Sequence, residues 1–233
     1  MQKVDIVDED CGFCTEIHGI SHANNLLEQY IEPQLGMASR VIEKTEHFEA
    51  IPTLGAFVEG YVMVVSLDHY ECVGRIPKNY YPELKCFLRE MKDRIARCYG
   101  MKTVCFEHGS VSCTNRFGGC INHAHIHIVP CNELLIDQLG EYQIEYRKIS
   151  SIDELRPFGL SGRPYLYFED VDGQQYVAAS GFVVSQFFRQ LLARTHGIPE
   201  EWDWRSHLNL ERMKKTFERM SDFSLCNQFG GSL

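Results

Sequence analysis

The chain has 233 residues, of which 44% are hydrophobic and 12% aromatic, and its formal net charge is −9 at pH 7. This length predicts one large domain or a core of about 130 to 150 residues with an extension, and the apolar content suffices for a buried core. A negative charge without a lysine or arginine block argues against binding to polymeric nucleic acid or to anionic membranes. No apolar stretch approaches the roughly 20 residues that span a bilayer, and the acidic start is unlike a signal peptide, so we expect a cytoplasmic protein.

The first 130 residues predict short strands around one long helix. Apolar positions and a serine cap predict a short helix over 20–31, with Ser21 at its start. Helical spacing from Pro82 predicts a long amphipathic helix to about Tyr99, which Gly100 ends. The predicted strands are 40–44, 48–52, 61–66, 103–107 and 123–129, and a loop rich in glycine, serine and asparagine over 108–121 separates the last two.

The remaining residues carry fewer signals. Two strands, 166–170 and 175–179, flank an Asp-Gly turn and predict a hairpin. Two helices are predicted over 183–196 and 210–220. We therefore divide the chain into an N-terminal domain, 1–149, and a C-terminal extension, 150–233, which we expect to pack on that domain and to cover part of its surface or build a dimer interface.

Ten cysteines are present, and two of them have metal-ligand spacing. Cys11 and Cys14 form a Cys-x-x-Cys pair, which suits either zinc or a redox role. Zinc is favoured, because no thioredoxin-like strand and helix follow and because histidines lie downstream. The other eight show no spacing typical of a disulfide framework, and we expect most of them to be reduced, small core residues.

The most informative segment is a run of alternating histidines. His123, His125 and His127 alternate with Ala124, Ile126 and Ile128. This period of two predicts a strand. The apolar residues then form its buried face, and the three imidazoles share the other, accessible face. A neutral imidazole is both a phosphorus nucleophile and a metal ligand, so the run predicts a chemical site.

The segment from His123 to Val129 resembles the signature of the histidine triad (HIT) superfamily of nucleotidyl hydrolases and transferases, three histidines separated by single apolar residues. The pair Cys11 and Cys14 is similar to the opening of zinc-bearing members, and residues 60–69 are similar to the family's strand that ends in a histidine. The resemblance covers about residues 8 to 132. It implies an α+β fold, with a five-stranded antiparallel sheet, a long helix on one face, and a dimer.

The resemblance also implies roles for two histidines. His125, the middle one, would attack the α-phosphorus of a nucleotide derivative and form a covalent nucleotidyl-imidazole, which water or another acceptor resolves. His127 would donate a hydrogen bond to a non-bridging or leaving-group oxygen. A solvated histidine at the end of a strand is the alternative for His127.

A structural zinc site is implied as well. In zinc-bearing branches the first triad histidine joins the cysteine pair and a histidine after the third strand, and the matching positions here are Cys11, Cys14, His69 and His123. Two sulfurs and two nitrogens make a closed tetrahedral site with no position for water. A surface or helix-capping histidine at 69 and a pair of reduced, unligated cysteines remain the alternative.

Several positions depart from the family pattern. The usual glutamine with serine or threonine before the triad is absent, Tyr61 stands where many members carry an extra active-site histidine, and Thr53 replaces an acidic residue that often holds the ribose. Donors near the triad could substitute, and the predicted substrate-binding residues are Ser110, Ser112, Asn115, Arg116 and Gly119. Gln186 and Arg189 of the extension could reach over the site, although a surface helix explains them equally well.

Two functions follow from these expectations. The first is a nucleotide hydrolase or nucleotidyl transferase that acts at the α-phosphate of a dinucleoside polyphosphate, a nucleotide sugar or an adenylylated compound. The second is a zinc-stabilised nucleotide-binding or scaffold protein in which catalysis is lost or weak. The three intact histidines favour the enzyme. The expected partners are a small nucleotide and a second copy of the chain, with neither polymeric nucleic acid nor a membrane.

Overall fold

The computed structural model describes residues 6–109, 121–142, 144–179 and 186–222. The predicted α+β class is confirmed. The strands are β1 (Glu43–Lys44), β2 (Phe48–Pro52), β3 (Val62–Ser66), β4 (Thr103–Gly109), β5 (His125–Pro130), β6 (Arg147–Ile149), β7 (Tyr165–Glu169) and β8 (Gln175–Ala179). The α-helices are α1 (Gly12–Ile17), α2 (Glu32–Leu35), α3 (Tyr81–Tyr99), α4 (Leu135–Leu139), α5 (Arg156–Leu160), α6 (Phe187–Thr195) and α7 (Leu210–Ser221). Short 3₁₀ turns and one π-turn connect them, at Leu27–Ile31 (π), Val73–Arg75, Lys78–Tyr80, Gly140–Tyr142, Ile152–Leu155 and Pro199–Trp202.

The eight strands of the described residues form one antiparallel sheet. Their order is β1-β2-β3-β5-β4-β7-β8-β6, so the histidine strand β5 lies in the interior between β3 and β4. The prediction of five strands is wrong, because the C-terminal hairpin and β6 continue the sheet beyond β4. Pairing with β7 satisfies the backbone groups that β4 would otherwise present at an open edge.

One face of the sheet packs on α3. The helix begins within one residue of the predicted start, has Pro82 in its first turn, and ends at Gly100, which adopts a φ of +65°. Its buried residues recur at helical spacing and meet Ala124, Ile126 and Ile128 of the sheet. The helix residues in this layer are Tyr81, Leu84, Phe87, Leu88, Met91, Ile95 and Cys98.

The opposite face carries the histidines and is also covered. Phe13 of α1 packs on the rings of His123 and His125, while Phe188 of α6 packs on Phe106 of β4, the cross-strand partner of His127. His123 and His127 are consequently only 1% and 8% exposed. The prediction of an accessible histidine face is therefore wrong for these two rings, and only His125 is partly exposed.

The N-terminal helix predicted over 20–31 begins later than expected. The Asn25 side chain accepts hydrogen bonds from the backbone N–H groups of Leu27 and Glu28, which places the helix start after residue 25. Ser21 does not cap a helix, since its hydroxyl donates to the Glu28 carboxylate. The first predicted strand is likewise shortened to Glu43–Lys44.

Four of the five described cysteines outside the Cys-x-x-Cys pair are buried, as predicted for core residues, and Cys113, Cys120 and Cys226 lie outside the described residues. Cys72, Cys105 and Cys131 are buried with free thiols, whereas Cys86 is free but exposed. Cys98 is disulfide-bonded, so the expectation of a reduced thiol is wrong there. Among the described residues, no helix combines the length and the apolar composition that crossing a membrane requires.

Candidate active site and metal centre

His125 is the first residue of β5 and lines a cleft. Its Nδ1 is 2.5 Å from the carbonyl oxygen of His123, and a carbonyl only accepts, so Nδ1 carries the proton of the neutral ring. The lone pair is then on Nε2. Burial lowers the pKa of His125 to about 4, so the ring is neutral at physiological pH. A neutral imidazole with a free Nε2 lone pair has the form that a nucleophile requires.

His127 is held beside His125 by contacts with three side chains. Its Nε2 is 3.1 Å from Nε2 of His125, and its Nδ1 is 2.9 Å from the hydroxyl of Tyr61. The ring of Phe106 stacks on it at a centroid distance of 4.4 Å and an angle of 16°. Burial, followed by the neighbouring His125 and the positive charge of Arg189, holds the pKa of His127 well below its usual range. His127 is thus a neutral, immobilised ring next to the candidate nucleophile.

Arg189 of α6 reaches this site from the extension. Its guanidinium donates to the carbonyl oxygens of Trp202 and Gly55 at 2.8 and 2.6 Å and to the hydroxyl of Tyr61 at 3.2 Å. The side chain is buried, and no carboxylate of the described residues forms an ion pair with it. A buried cation that is balanced only by neutral oxygens suits an anionic ligand.

His108 is the third histidine in the lining of the cleft, and the sequence predicted a loop at this position. It belongs to β4, and its Nε2 accepts a hydrogen bond from the backbone N–H of Phe188 at 3.4 Å. Burial lowers the pKa of His108 to about 3, with further contributions from His125 and Arg189. The period of two from Phe106 could have identified it, because Phe106 and His108 lie on the same face of the strand.

A cleft lies beside His125 and His127, with about 580 Å³ of space when the open solvent at its mouth is included. Gln186, at a φ of +54°, donates from its side-chain amide to Asp203. Within the described part of the chain, neither Oε1 of Gln186 nor the Thr53 hydroxyl has a hydrogen-bond partner. The polar lining residues are Arg40, Thr53, His108, His125, His127, Gln186 and Arg189. The apolar lining residues are Phe13, Leu26, Leu54, Met63, Ile121 and Trp204. A cleft of this kind can hold a ligand with a flat apolar part and an anionic part.

The predicted substrate-binding residues cannot be placed in this cleft or elsewhere. Ser110, Ser112, Asn115, Arg116 and Gly119 all lie outside the described residues. By contrast, Gln186 and Arg189, which the sequence left open between a surface helix and the site, both line the cleft.

Cys11, Cys14, His69 and His123 meet in one cluster, although they come from three separated segments. The four donor atoms lie within 4.8 Å of one another. Sulfur-to-nitrogen distances are 3.4 Å for Cys11 to His123, 3.6 Å for Cys14 to His123 and 3.3 Å for Cys14 to His69. A tetrahedral zinc ion with ordinary bond lengths requires about 3.6 Å between a sulfur and a nitrogen ligand. These three separations lie near that value, so the cluster could hold a metal ion.

The ring of His123 is oriented as a metal ligand. Its Nε2 donates to the carbonyl oxygen of Ser66 at 2.7 Å, so the unprotonated Nδ1 faces the two sulfurs. Hydrogen bonding between the two thiols lowers the pKa of Cys14 and raises that of Cys11, so Cys14 ionises first. His123 and Cys14 are buried and His69 is partly exposed, with Asp8 3.8 Å from its Nε2.

Comparison with known proteins gives similarity to solved structures only. No family model matches the sequence, and no curated protein matches it. A hypothetical histidine triad nucleotide-binding protein from Sulfolobus tokodaii is 19% identical, over 53% of this chain and 70% of that one, with a TM-score of 0.39. A Hit-like protein involved in cell-cycle regulation from Bartonella henselae is 10% identical, over 55% and 84%, with a TM-score of 0.40.

A third similar structure is a HIT family protein from Bacillus anthracis, which is 14% identical over 53% of this chain and 74% of that one, with a TM-score of 0.40. Each of these likenesses covers about half of this chain. All three structures are described as histidine triad or HIT proteins.

Proposed function

We propose that this protein is a nucleotide hydrolase or nucleotidyl transferase that acts at an α-phosphate through a covalent intermediate on His125. One observation carries the proposal: the Nδ1 proton of His125 is committed to the His123 carbonyl, which leaves a lone pair, and not a proton, on Nε2 of a ring that lines the cleft. The substrate class is a dinucleoside polyphosphate, a nucleotide sugar or an adenylylated compound. The resemblance of residues 123–129 to the histidine triad signature supports the same chemistry.

The reaction would proceed in two displacements. In the first, Nε2 of His125 attacks the α-phosphorus, a P–N bond forms, and the P–O bond to the leaving group breaks. The electron pair of that bond leaves with the oxygen, to which His127 donates a hydrogen bond. In the second, the oxygen of water or of another acceptor attacks the same phosphorus, the P–N bond breaks, and its electron pair returns to Nε2. The proton of the attacking hydroxyl is released to the solvent.

Charge in the cleft favours this reaction. The transferred group carries negative charge on its non-bridging oxygens. Arg189 is a buried, permanent cation that donates to the Tyr61 hydroxyl beside His127, and no carboxylate of the described residues forms an ion pair with it. In a site from which water is largely excluded, such a charge acts more strongly than it would in solution. The apolar residues of the lining, among them Phe13, Leu54 and Trp204, suit the face of a nucleobase.

We also propose that the cluster of Cys11, Cys14, His69 and His123 binds one structural zinc ion. Two sulfur and two nitrogen donors at tetrahedral spacing support zinc, and four protein ligands leave no position for a reacting water. A bound ion would cross-link the N-terminal turn to the histidine strand. His123, whose carbonyl accepts the Nδ1 proton of His125, would then be held on both its ring and its backbone.

A substrate screen with one variant tests the enzymatic proposal. Purified protein would be assayed with diadenosine polyphosphates, nucleotide sugars and adenosine phosphoramidate, and His125→Asn would be compared on the substrates that react. We expect the variant to remain folded and to lose turnover by several orders of magnitude, because the nucleophile is removed. His22→Asn, at an exposed surface position, is the control.

Acid-quenched samples with a ³²P-labelled nucleotide should contain a labelled protein that His125→Asn lacks. Near-normal turnover by His125→Asn on a confirmed substrate would contradict the mechanism. Nucleotide binding without turnover of any compound in the panel would instead favour the second candidate, a zinc-stabilised nucleotide-binding or scaffold protein.

A further inference from the structure

Three hydrogen bonds connect the extension to the candidate nucleophile through His127. Nη1 of Arg189 lies 3.2 Å from the Tyr61 hydroxyl, which lies 2.9 Å from Nδ1 of His127, and Nε2 of His127 lies 3.1 Å from Nε2 of His125. All of these side chains except that of His125 are buried. These hydrogen bonds link Arg189, which is 128 positions from Tyr61 in the sequence, to the reacting group.

The direction of each hydrogen bond follows from the groups involved. A guanidinium only donates, so the Tyr61 oxygen accepts from Arg189. The Tyr61 hydroxyl retains its own proton, because burial raises the pKa of Tyr61 to about 12, and its remaining partner is Nδ1 of His127. Nδ1 of His127 therefore accepts, and the ring proton of neutral His127 is on Nε2.

The hydrogen bond at the His125 end of this series also requires the proton of His127 to be on Nε2. His125 donates from Nδ1 to a carbonyl, so its Nε2 can only accept when the ring is neutral. The short contact between the two Nε2 atoms is then a hydrogen bond from His127 to His125. Two independent sets of partners, one on each ring, thus give a single tautomer for His127.

We propose that Tyr61 and Arg189 are positioning residues, which hold His127 in the tautomer with its proton on Nε2 and so direct a hydrogen-bond donor at the phosphate site. The role of this donor in the reaction rests on the proposed function, whereas the tautomer itself does not. Before a substrate binds, the N–H of His127 donates its hydrogen bond to the Nε2 lone pair of His125. When a substrate binds, a phosphate oxygen replaces that lone pair as the acceptor.

Arg189 is suited to this task because its position is set by the protein. The carbonyl oxygens of Trp202 and Gly55 hold Nε and Nη2, so Nη1 is directed at Tyr61 without the help of a ligand. Its guanidinium also lies 5.4 Å from the centre of the Tyr61 ring and 5.5 Å from that of Phe57. Since Arg189 cannot accept a hydrogen bond, it prevents the Tyr61 hydroxyl from turning its proton toward α6.

Nitrogen chemical shifts of the histidine rings test the tautomer directly. Protein labelled with ¹⁵N-histidine and purified with its metal would be examined by long-range ¹H–¹⁵N correlation without substrate. We expect His127 to show one protonated Nε2 in the native protein and a mixture of both tautomers in Tyr61→Phe, which keeps the ring but removes the hydroxyl. Arg189→Gln should show a smaller admixture, because the Tyr61 hydroxyl remains but is free to rotate.

A matched control exists on the same helix. Arg194 of α6 donates to the hydroxyl of Tyr142 at 2.9 Å, a similar pair that lies outside the cleft lining. Tyr142→Phe should leave the His127 shifts and turnover unchanged. For a confirmed substrate, Tyr61→Phe should lower kcat by about 10- to 100-fold, as expected when one donor to a reacting oxygen is misdirected, with little change in KM.

The two proposals fail in different ways. A proton on Nδ1 of His127 in the native protein, or an unchanged tautomer in Tyr61→Phe, would overturn the positioning role whether or not nucleotides are cleaved. An unchanged kcat in Tyr61→Phe would overturn it as well. If no nucleotide is cleaved, the proposed function fails, and the spectra still decide whether Tyr61 and Arg189 set the tautomer.

Discussion

The two ends of the histidine run are held by opposite ends of the chain. His123 faces the sulfurs of Cys11 and Cys14, which belong to the N-terminal segment, whereas His127 is held through Tyr61 by Arg189 of the C-terminal extension. The first support is a set of metal donors, and the second is a hydrogen-bond chain that begins at a permanent cation. His125 lies between them, so its position depends on two supports that can be removed one at a time.

The largest effect is expected from removal of the C-terminal support. A chain that ends at Ser150 lacks β7, β8 and α6, which leaves β4 as an open edge and exposes the apolar residues that face α6, among them Phe106 and Leu139. We expect this fragment to be insoluble or to bind a hydrophobic dye strongly, and to lose catalytic efficiency although the triad is intact. Sedimentation, dye fluorescence and turnover measure the three effects.

Co-expression of 151–233 with the fragment provides a control for the cut itself and should restore part of the solubility. If the fragment 1–150 is soluble, unfolds cooperatively and is fully active, the extension is a separable module. The division of the chain into 1–149 and 150–233 would then also be a division into independent folding units.

Removal of the N-terminal support should have a smaller effect. Cys14→Ala deletes one proposed zinc ligand, and we expect the protein to lose its metal, about one ion per chain, and to unfold at a temperature about 5 to 15 °C lower. Cys72→Ala is a matched control, because Cys72 is equally buried and has a free thiol but lies outside the cluster. Elemental analysis and thermal unfolding are the measurements.

Protein that is purified without chelators, contains no zinc and has the same unfolding temperature as Cys14→Ala would contradict a structural metal site. His123 would then have no ligand role, and the short sulfur-to-nitrogen distances would be hydrogen bonds between thiols and imidazoles. An equal loss of stability in Cys72→Ala would show that the effect comes from an emptied core position and not from a lost metal.

The sequence predicted the N-terminal support more fully than the C-terminal one. The four cluster residues were predicted from the resemblance to zinc-bearing histidine triad proteins, in which only the spacing of Cys11 and Cys14 is a local signal. The helix α3 follows from apolar periodicity over 19 residues, which is a local signal throughout. The pairing of β4 with β7 and the contact of Arg189 with Tyr61 join distant segments, and no local pattern specifies which strand completes an edge. His108 was missed for a related reason, since the glycine and serine that follow it predict a loop.

Phe13 offers a way to test whether the two supports act independently. Its ring contacts His123 at a centroid distance of 5.6 Å and His125 at 5.4 Å, both edge to face, so it is the direct packing link between the cluster and the candidate nucleophile. Phe13→Leu keeps an apolar side chain but loses both ring contacts, each of which contributes about 0.5 to 1.5 kcal/mol. We expect zinc to remain, because no ligand changes, and turnover of a confirmed substrate to fall by about 3- to 10-fold.

Phe158→Leu is the control, because the ring of Phe158 packs against Tyr165 instead. Unchanged turnover in Phe13→Leu would mean that the hydrogen bond to the His123 carbonyl alone positions His125.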